Sequence, residues 1–152
     1  MKILIFGLPG SGKTTLAKPF AELIGGIHIN ADQTRKKYND WDFTPEGRIR
    51  QAQRMRHLAD GVVLAGKVAV ADFVCPTEHA RQEFDPDFTV WMDTIKKSQS
   101  VNGPAASGST FEQTDKMFES PPKCDYHVSE WFLDTHEQLL RVVKTWMERN
   151  NV

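Results

Sequence analysis

Gly7-Leu8-Pro9-Gly10-Ser11-Gly12-Lys13-Thr14 is the stretch of this chain whose residue types and spacing speak most directly of chemistry. The spacing is G-x-x-x-x-G-K-[ST], the pattern of a phosphate-binding loop. Its glycines let successive backbone N–H groups turn inward around a phosphate. A helix starting at the loop adds its dipole and its unpaired N–H groups. Gly7, Pro9, Gly10, Ser11, Gly12, Lys13, Thr14 and Thr15 are therefore expected to hold the phosphates of ATP. Lys13 would reach the β- and γ-phosphates and is a candidate catalytic residue, while the Thr14 hydroxyl would ligate Mg²⁺.

Three acids follow predicted strands: Asp32, Asp72 and Asp93. Phosphoryl transfer needs Mg²⁺ ligands and a group that orients or deprotonates an acceptor hydroxyl. Asp32 fits the base role, or alternatively a place in the metal shell. Asp72, at the end of a Val-rich run, resembles a Walker-B carboxylate that helps hold Mg²⁺ through water. It stands as the second candidate for the base. Asp93 reads as a cap after its strand. The segment from Pro45 carries Arg48, Arg50, Arg54 and Arg56. Arginine suits bidentate recognition of phosphate or sulfate. Arg48 and Arg54 can both reach one end of a cleft, and Arg50 and Arg56 read as a solvated face. Phe43 and Phe111 are aromatics that either stack on a base or fill core.

These groups need a scaffold. Lys2–Phe6 is a short apolar run, followed by the loop and a helix over Thr14–Leu23 that contains Pro19, where a kink is expected. Further strands are predicted at Ile27–Ile29, Lys67–Val74, Phe88–Met92 and Tyr126–Val128. Helices are predicted at Ala31–Lys37, Pro45–Ala65 with Gly66 as its C′ residue, Thr77–Phe84 with Thr77 as N-cap, and Thr135–Arg149. Strands alternating with helices predict an α/β domain: a three-layer P-loop NTPase sandwich with a parallel five-stranded sheet and helices on both faces. The phosphate loop then lies at the carboxyl edge of the sheet, where such folds bind ligands. Residues 95–122 read as a lid-like segment. The uncharged Ser/Gly/Ala run 98–110 is expected to be flexible, and Phe111, Met117 and Phe118 are expected to gain burial only over a bound base.

A chain of 152 residues fits one domain, and a net charge of −1 gives no field for holding a nucleic-acid backbone. Cys75 and Cys124 belong to no C-x-x-C pair, and the histidines show no zinc spacing. The first strand at the start leaves no room for a signal peptide, and no apolar run has membrane-spanning length. We expect a cytoplasmic protein with a small nucleotide-like substrate as its partner, without nucleic acid or membrane. The pattern is compatible with a homodimer.

The residues resemble the adenylylsulfate kinase (APS kinase) family from the phosphate loop to about Pro122. Asn30-Ala31-Asp32 with Arg35 is similar to that family's Asp-Gly-Asp-Asn and Arg region. Phe43-Thr44-Pro45-Glu46-Gly47-Arg48, continued by Gln51 and Arg54, is similar to its Phe-Ser…Arg stretch. Val74-Cys75-Pro76 is similar to an Ile-Ser-Pro turn with Arg81 downstream, and Phe111–Pro122 to the substrate lid. The resemblance implies ATP and Mg²⁺ as cofactors and transfer of a phosphoryl group to the 3′-hydroxyl of adenosine 5′-phosphosulfate, a step of sulfate assimilation. It implies Asp32 as base, with Arg48 and Arg54 on the phosphosulfate and Phe43 and Phe111 around the acceptor adenine. Arg35, Gln51, Val74 and Cys75 complete the implied acceptor site. The chain differs from the family in Asn30 for the first acid, Gln51 for an Asn, and Asp72 for a small neutral residue. Ile95-Lys96-Lys97 and the Ser/Gly run stand in place of the usual Arg-Asp-Pro-Lys-Gly-Leu-Tyr block. The alternatives are a P-loop kinase for another nucleotide, nucleoside or modified base, and a nucleotide-binding switch with slow ATPase activity.

Overall fold

The computed structural model describes residues 1–100 and 108–152. Strands β1 (Lys2–Gly7), β2 (Ile27–Asn30), β3 (Ala69–Asp72), β4 (Phe88–Met92) and β5 (Tyr126–Val128) form one sheet in the order β2-β3-β1-β4-β5. Every neighbouring pair is parallel. β1 and β3 are buried along their whole length, with the apolar runs 3–6 and 69–71 filling the sheet centre. Because all strands run one way, their carboxyl ends share an edge. That edge carries the phosphate loop after β1, Asn30 at the end of β2 and Asp72 at the end of β3, with Asn30 and Asp72 directly paired in register.

Helices cover both faces. α1 (Lys13–Ile24) and α6 (Thr135–Arg149) bury Leu16, Phe20, Leu139 and Val143 against one side. α3 (Pro45–Leu64) and α4 (Glu78–Phe84) bury Met55, Ala59, Ala80 and Phe84 against the other. Side-chain caps fix the helix starts nearest the carboxyl edge. Asn30 accepts from Gln33 N at 3.0 Å to open α2 (Ala31–Tyr38), Thr44 accepts from Gly47 N at 3.1 Å, and Thr77 accepts from Ala80 N at 3.1 Å. Each satisfies one of the N–H groups a helix start leaves open.

Several expectations need correction. β3 spans Ala69–Asp72 rather than Lys67–Val74, because the chain turns away after Asp72 into the bend at Cys75. Asp93 caps no helix: its carboxylate meets His127 Nε2 at 3.0 Å and Lys96 Nζ at 3.2 Å. A helix α5 (Gly108–Met117) stands where only a lid-like segment was expected. Most of the run 98–110 expected to be flexible lies outside the described residues. Within it, Ser98 N donates to Asp115 Oδ1 at 2.9 Å and Gln99 N donates to Pro9 O at 2.8 Å. Phe118 does not wait for a ligand to pack. Its ring lies 6.4 Å from that of Phe6, and the Arg81 guanidinium stands 5.2 Å from its centroid.

Candidate active site

The phosphate loop joins the central strand to α1. Gly12, the N-cap of α1, sits at φ +96° with no side-chain bond closing the helix start, so the first N–H groups of α1 stay open toward the cleft. The loop is backed by the segment after β4. Thr94 Oγ1 donates to Ser11 O at 2.7 Å, and a Cβ on Gly10 would stand 2.4 Å from Gln99 O. Any side chain at Gly10 would push that segment off the loop.

A cleft of about 1040 Å³ opens over this loop. Of the residues expected to bind nucleotide, Pro9, Gly10, Gly12, Lys13, Thr14 and Thr15 line it; Gly7 lies at the end of β1 behind it, and Ser11 is buried with its Oγ unpartnered. Lys13 is folded back on the loop, Nζ donating to Leu8 O at 3.0 Å. Burial is the main influence on this amine and pushes it down to about 8, against the pull of Asp72 and Asp32. The phosphates of a nucleotide would restore its charge. Nucleotide affinity is therefore expected to fall above about pH 8, roughly tenfold per pH unit until the bound-state value is reached. Titrating a non-hydrolysable nucleotide calorimetrically between pH 7 and 10 checks this, and a flat profile refutes it. The sign for stability follows too. The charged amine is disfavoured in the fold, so Lys13 costs stability below about pH 8, and that cost is relieved as pH rises toward 10.5.

Thr14, Asn30, Asp72 and His28 form one network. Thr14 Oγ1 donates to Asp72 Oδ1 at 3.1 Å, Asn30 Nδ2 donates to Thr14 Oγ1 at 3.2 Å, and His28 Nε2 meets Asp72 Oδ2. A hydroxyl and a carboxylate side by side, next to open helix N–H groups, are the hard oxygen donors that suit Mg²⁺. That ion takes one or two protein oxygens and completes its shell with phosphate and water. No group of three or more His, Cys, Asp or Glu side chains among the described residues could hold a metal ion by itself. The protein part of the site fits a cation that arrives with phosphates. Asp32, in the first turn of α2, lines the same cleft.

The other end of the cleft is built from α2, α3 and α5. Phe43 lines it, with the guanidinium of Arg35 4.4 Å and that of Arg48 4.9 Å from its ring centroid. Both arginines are buried. Arg35 spends Nη1 on the carbonyls of Asp40 and Asp42. Arg48 gives Nη2 to Thr114 Oγ1 of α5 at 2.7 Å, while its Nε is buried without a partner. Burial first, and then the neighbouring Arg35 charge, lower Arg48 to about 10. Two buried like charges with an unpaired donor leave a local demand for an anion. Gln51, Val74, Cys75 and Phe111 also line the cleft. Cys75 takes φ +44°, a costly setting for a non-glycine residue, held by Arg81 Nε on Cys75 O at 3.0 Å. Burial pushes the Cys75 thiol up, out of the thiolate range.

Arg54 stands apart from this arrangement. It donates to Asp40 Oδ2 at 2.8 Å and to Gln51 Oε1 at 2.6 Å, stacks on Tyr38, and is not among the described residues lining the cleft. Its charge is committed to Asp40, which Arg50 and Arg54 together hold well below the usual carboxylate range. Sequence reasoning missed seven cleft residues: Lys18, His28, Gln33, Trp41, Phe73, Gln99 and Thr114. His28 was findable in principle, since it lies two residues before Asn30 on the same face of a strand. Gln99 and Thr114 reach the cleft through tertiary contacts that no spacing encodes.

Residues 3–88 match the family model described as "AAA domain", and the chain belongs to that family. Its fold is that of the small P-loop kinases. The chain is similar to a probable adenylyl-sulfate kinase of Aeropyrum pernix, with 33% identity over 85 residues, which are 52% of this chain and 46% of that protein. The matched stretch thus spans about half the length of that curated relative. Among solved structures, it superimposes on the Mycobacterium tuberculosis APS kinase in complex with AMPPNP and APS with a TM-score of 0.70 at 16% identity, covering 94% of this chain and 96% of that one. An unliganded sugar kinase from Janibacter sp. HTCC2649 gives a TM-score of 0.69 at 19% identity, covering 97% and 94%. Identities of this order speak for the fold. The APS kinase resemblance rests on sequence over 52% of the chain and on fold over 94% of it.

Proposed function

We propose that the chain is an ATP-dependent phosphotransferase that delivers the γ-phosphoryl group to a hydroxyl of a small, anionic, nucleotide-like acceptor, with adenosine 5′-phosphosulfate the leading acceptor. One observation carries the reading. The phosphate loop and a buried, partly unpaired Arg48 beside Arg35 and Phe43 face the same cleft. One end suits a polyphosphate, and the other suits an anion attached to a flat ring.

Placement in the cleft supports the following division of labour. Backbone N–H groups of the loop and α1 orient the polyphosphate, and Lys13 neutralises charge on the migrating group. Thr14 and Asp72 would hold Mg²⁺, which supplies charge neutralisation and alignment when bound. Asp32 orients the acceptor hydroxyl and takes its proton. Arg48 grips the acceptor's anion, and Phe43 and Phe111 flank its base. Catalysis is then positioning plus charge compensation, with no covalent work for the protein.

A screen of acceptors with Mg-ATP, beginning with APS and including sugars, nucleosides and no acceptor, tests this. Phosphorylation of APS supports the acceptor assignment. Turnover with a neutral sugar or nucleoside and none with APS would keep the kinase and overturn its acceptor. ATP hydrolysis indifferent to every acceptor would favour the nucleotide-switch alternative. Within the active case, Arg48→Ala is expected to raise the acceptor KM roughly thirtyfold, about 2 kcal/mol for a charged hydrogen-bonding group, with nucleotide affinity nearly unchanged. Equal loss of both affinities would move Arg48 from acceptor binding to general architecture.

A further inference from the structure

We infer that His28 is a positioning residue for Asp72, holding one carboxylate oxygen so that the other stays on the Thr14 hydroxyl, where the nucleotide's cation is to bind. The inference rests on the phosphotransferase reading above. Asp72 is only 2% exposed, so both of its oxygens need donors within the protein. Oδ1 takes the Thr14 hydroxyl at 3.1 Å, and Oδ2 takes His28 Nε2. The carboxylate is the acceptor, so the ring nitrogen carries the hydrogen. Asn30 Nδ2 lies at 3.5 and 3.4 Å from the two oxygens, a longer and shared contact. The Asn30 amide is also spoken for at its oxygen, which caps α2.

The strand register explains how His28 gets there. β2 pairs with β3 so that Asn30 stands opposite Asp72 and His28 opposite Val70. His28 and Asn30 therefore share a face, and the imidazole reaches one step forward along the strand to the carboxylate. The terminal torsion of an aspartate is soft, so a carboxylate bonded on one oxygen alone can swing. Removing His28 leaves Oδ2 with the long Asn30 contact only, and rotation to share the Thr14 hydroxyl would spoil the oxygen pair presented to a cation. His28 itself lines the cleft, so its removal acts at the site rather than in the core. Partners that orient a metal-holding carboxylate are typically worth 10- to 100-fold in metal affinity.

The test uses the full chain saturated with a non-hydrolysable ATP analogue, with Mn²⁺ uptake followed by electron paramagnetic resonance. His28→Leu is expected to weaken Mn²⁺ binding by roughly 10- to 100-fold, while affinity for the analogue without metal stays put. His28→Gln, whose amide nitrogen falls where Nε2 stood, is expected to restore it. A merely structural histidine would lower the melting temperature and leave the Mn²⁺ affinity of the folded fraction alone. If His28→Leu fails to fold, His28→Gln is compared with His28→Asn, whose amide falls one methylene short. Mn²⁺ binding equal to wild type in His28→Leu or His28→Asn, or no rescue by His28→Gln, overturns the inference alone. A wild-type chain that takes up no Mn²⁺ with the nucleotide overturns the phosphotransferase reading and this inference with it.

Discussion

Lys13→Ala is expected to abolish phosphoryl transfer at least a hundredfold while leaving the fold intact. The loss corresponds to about 3 kcal/mol of transition-state charge stabilisation, the usual cost of removing one preorganised charge or donor. The fold survives because Lys13 contributes nothing to either apolar core. Its one described bond is to the Leu8 carbonyl, and burial already disfavours its charge. Single-turnover kinetics with saturating Mg-ATP, beside a thermal melt, check both halves. Normal turnover in the variant would show that the loop binds without catalysing.

Asp32→Asn is the second large effect. A positioned general base is worth about 10²–10⁴-fold in rate, so kcat should fall by that order while ATP affinity changes little. Asp32 sits in the first turn of α2, on the cleft wall and near enough to Lys13 to act on its charge. Asparagine keeps the volume and one acceptor oxygen but cannot take a proton. If ATP or Mg²⁺ affinity falls instead and the rate with both saturating is preserved, Asp32 belongs to the metal shell. Asp72 would then inherit the base role.

Local patterns were legible where local chemistry decides. The phosphate loop, all five strands and the Pro45 and Thr77 helix starts follow from residue type and spacing, because glycine, proline and capping hydroxyls act within a few residues of themselves. The unread parts depend on distant partners. α5 begins at Gly108, inside a run whose composition argues against a helix. Its anchors are Thr114 on Arg48 and Asp115 on Ser98, neither visible as a pattern. Arg54 shows the same limit from the other side. Spacing on α3 put it within reach of the cleft, but Asp40, on the loop after α2, takes its guanidinium. In the site itself, residue types identified the groups, whereas register alone brought His28 to Asp72.

The sheet splits the interior into two separate apolar layers, and the cleft straddles the seam. The phosphate loop runs into α1, whose underside keys with α6. Arg48 and Gln51 stand on α3, whose underside keys with α4 on the opposite face. Backbone, rather than interlocked side chains, separates the two, and substitutions that share no partners act nearly independently. In engineering terms the molecule is a socket with an exchangeable head. The α2–α3 layer could be recast toward another acceptor as one block, provided it keeps Asn30 and Asp32, the residues through which it reaches Thr14 and Lys13 of the phosphate loop.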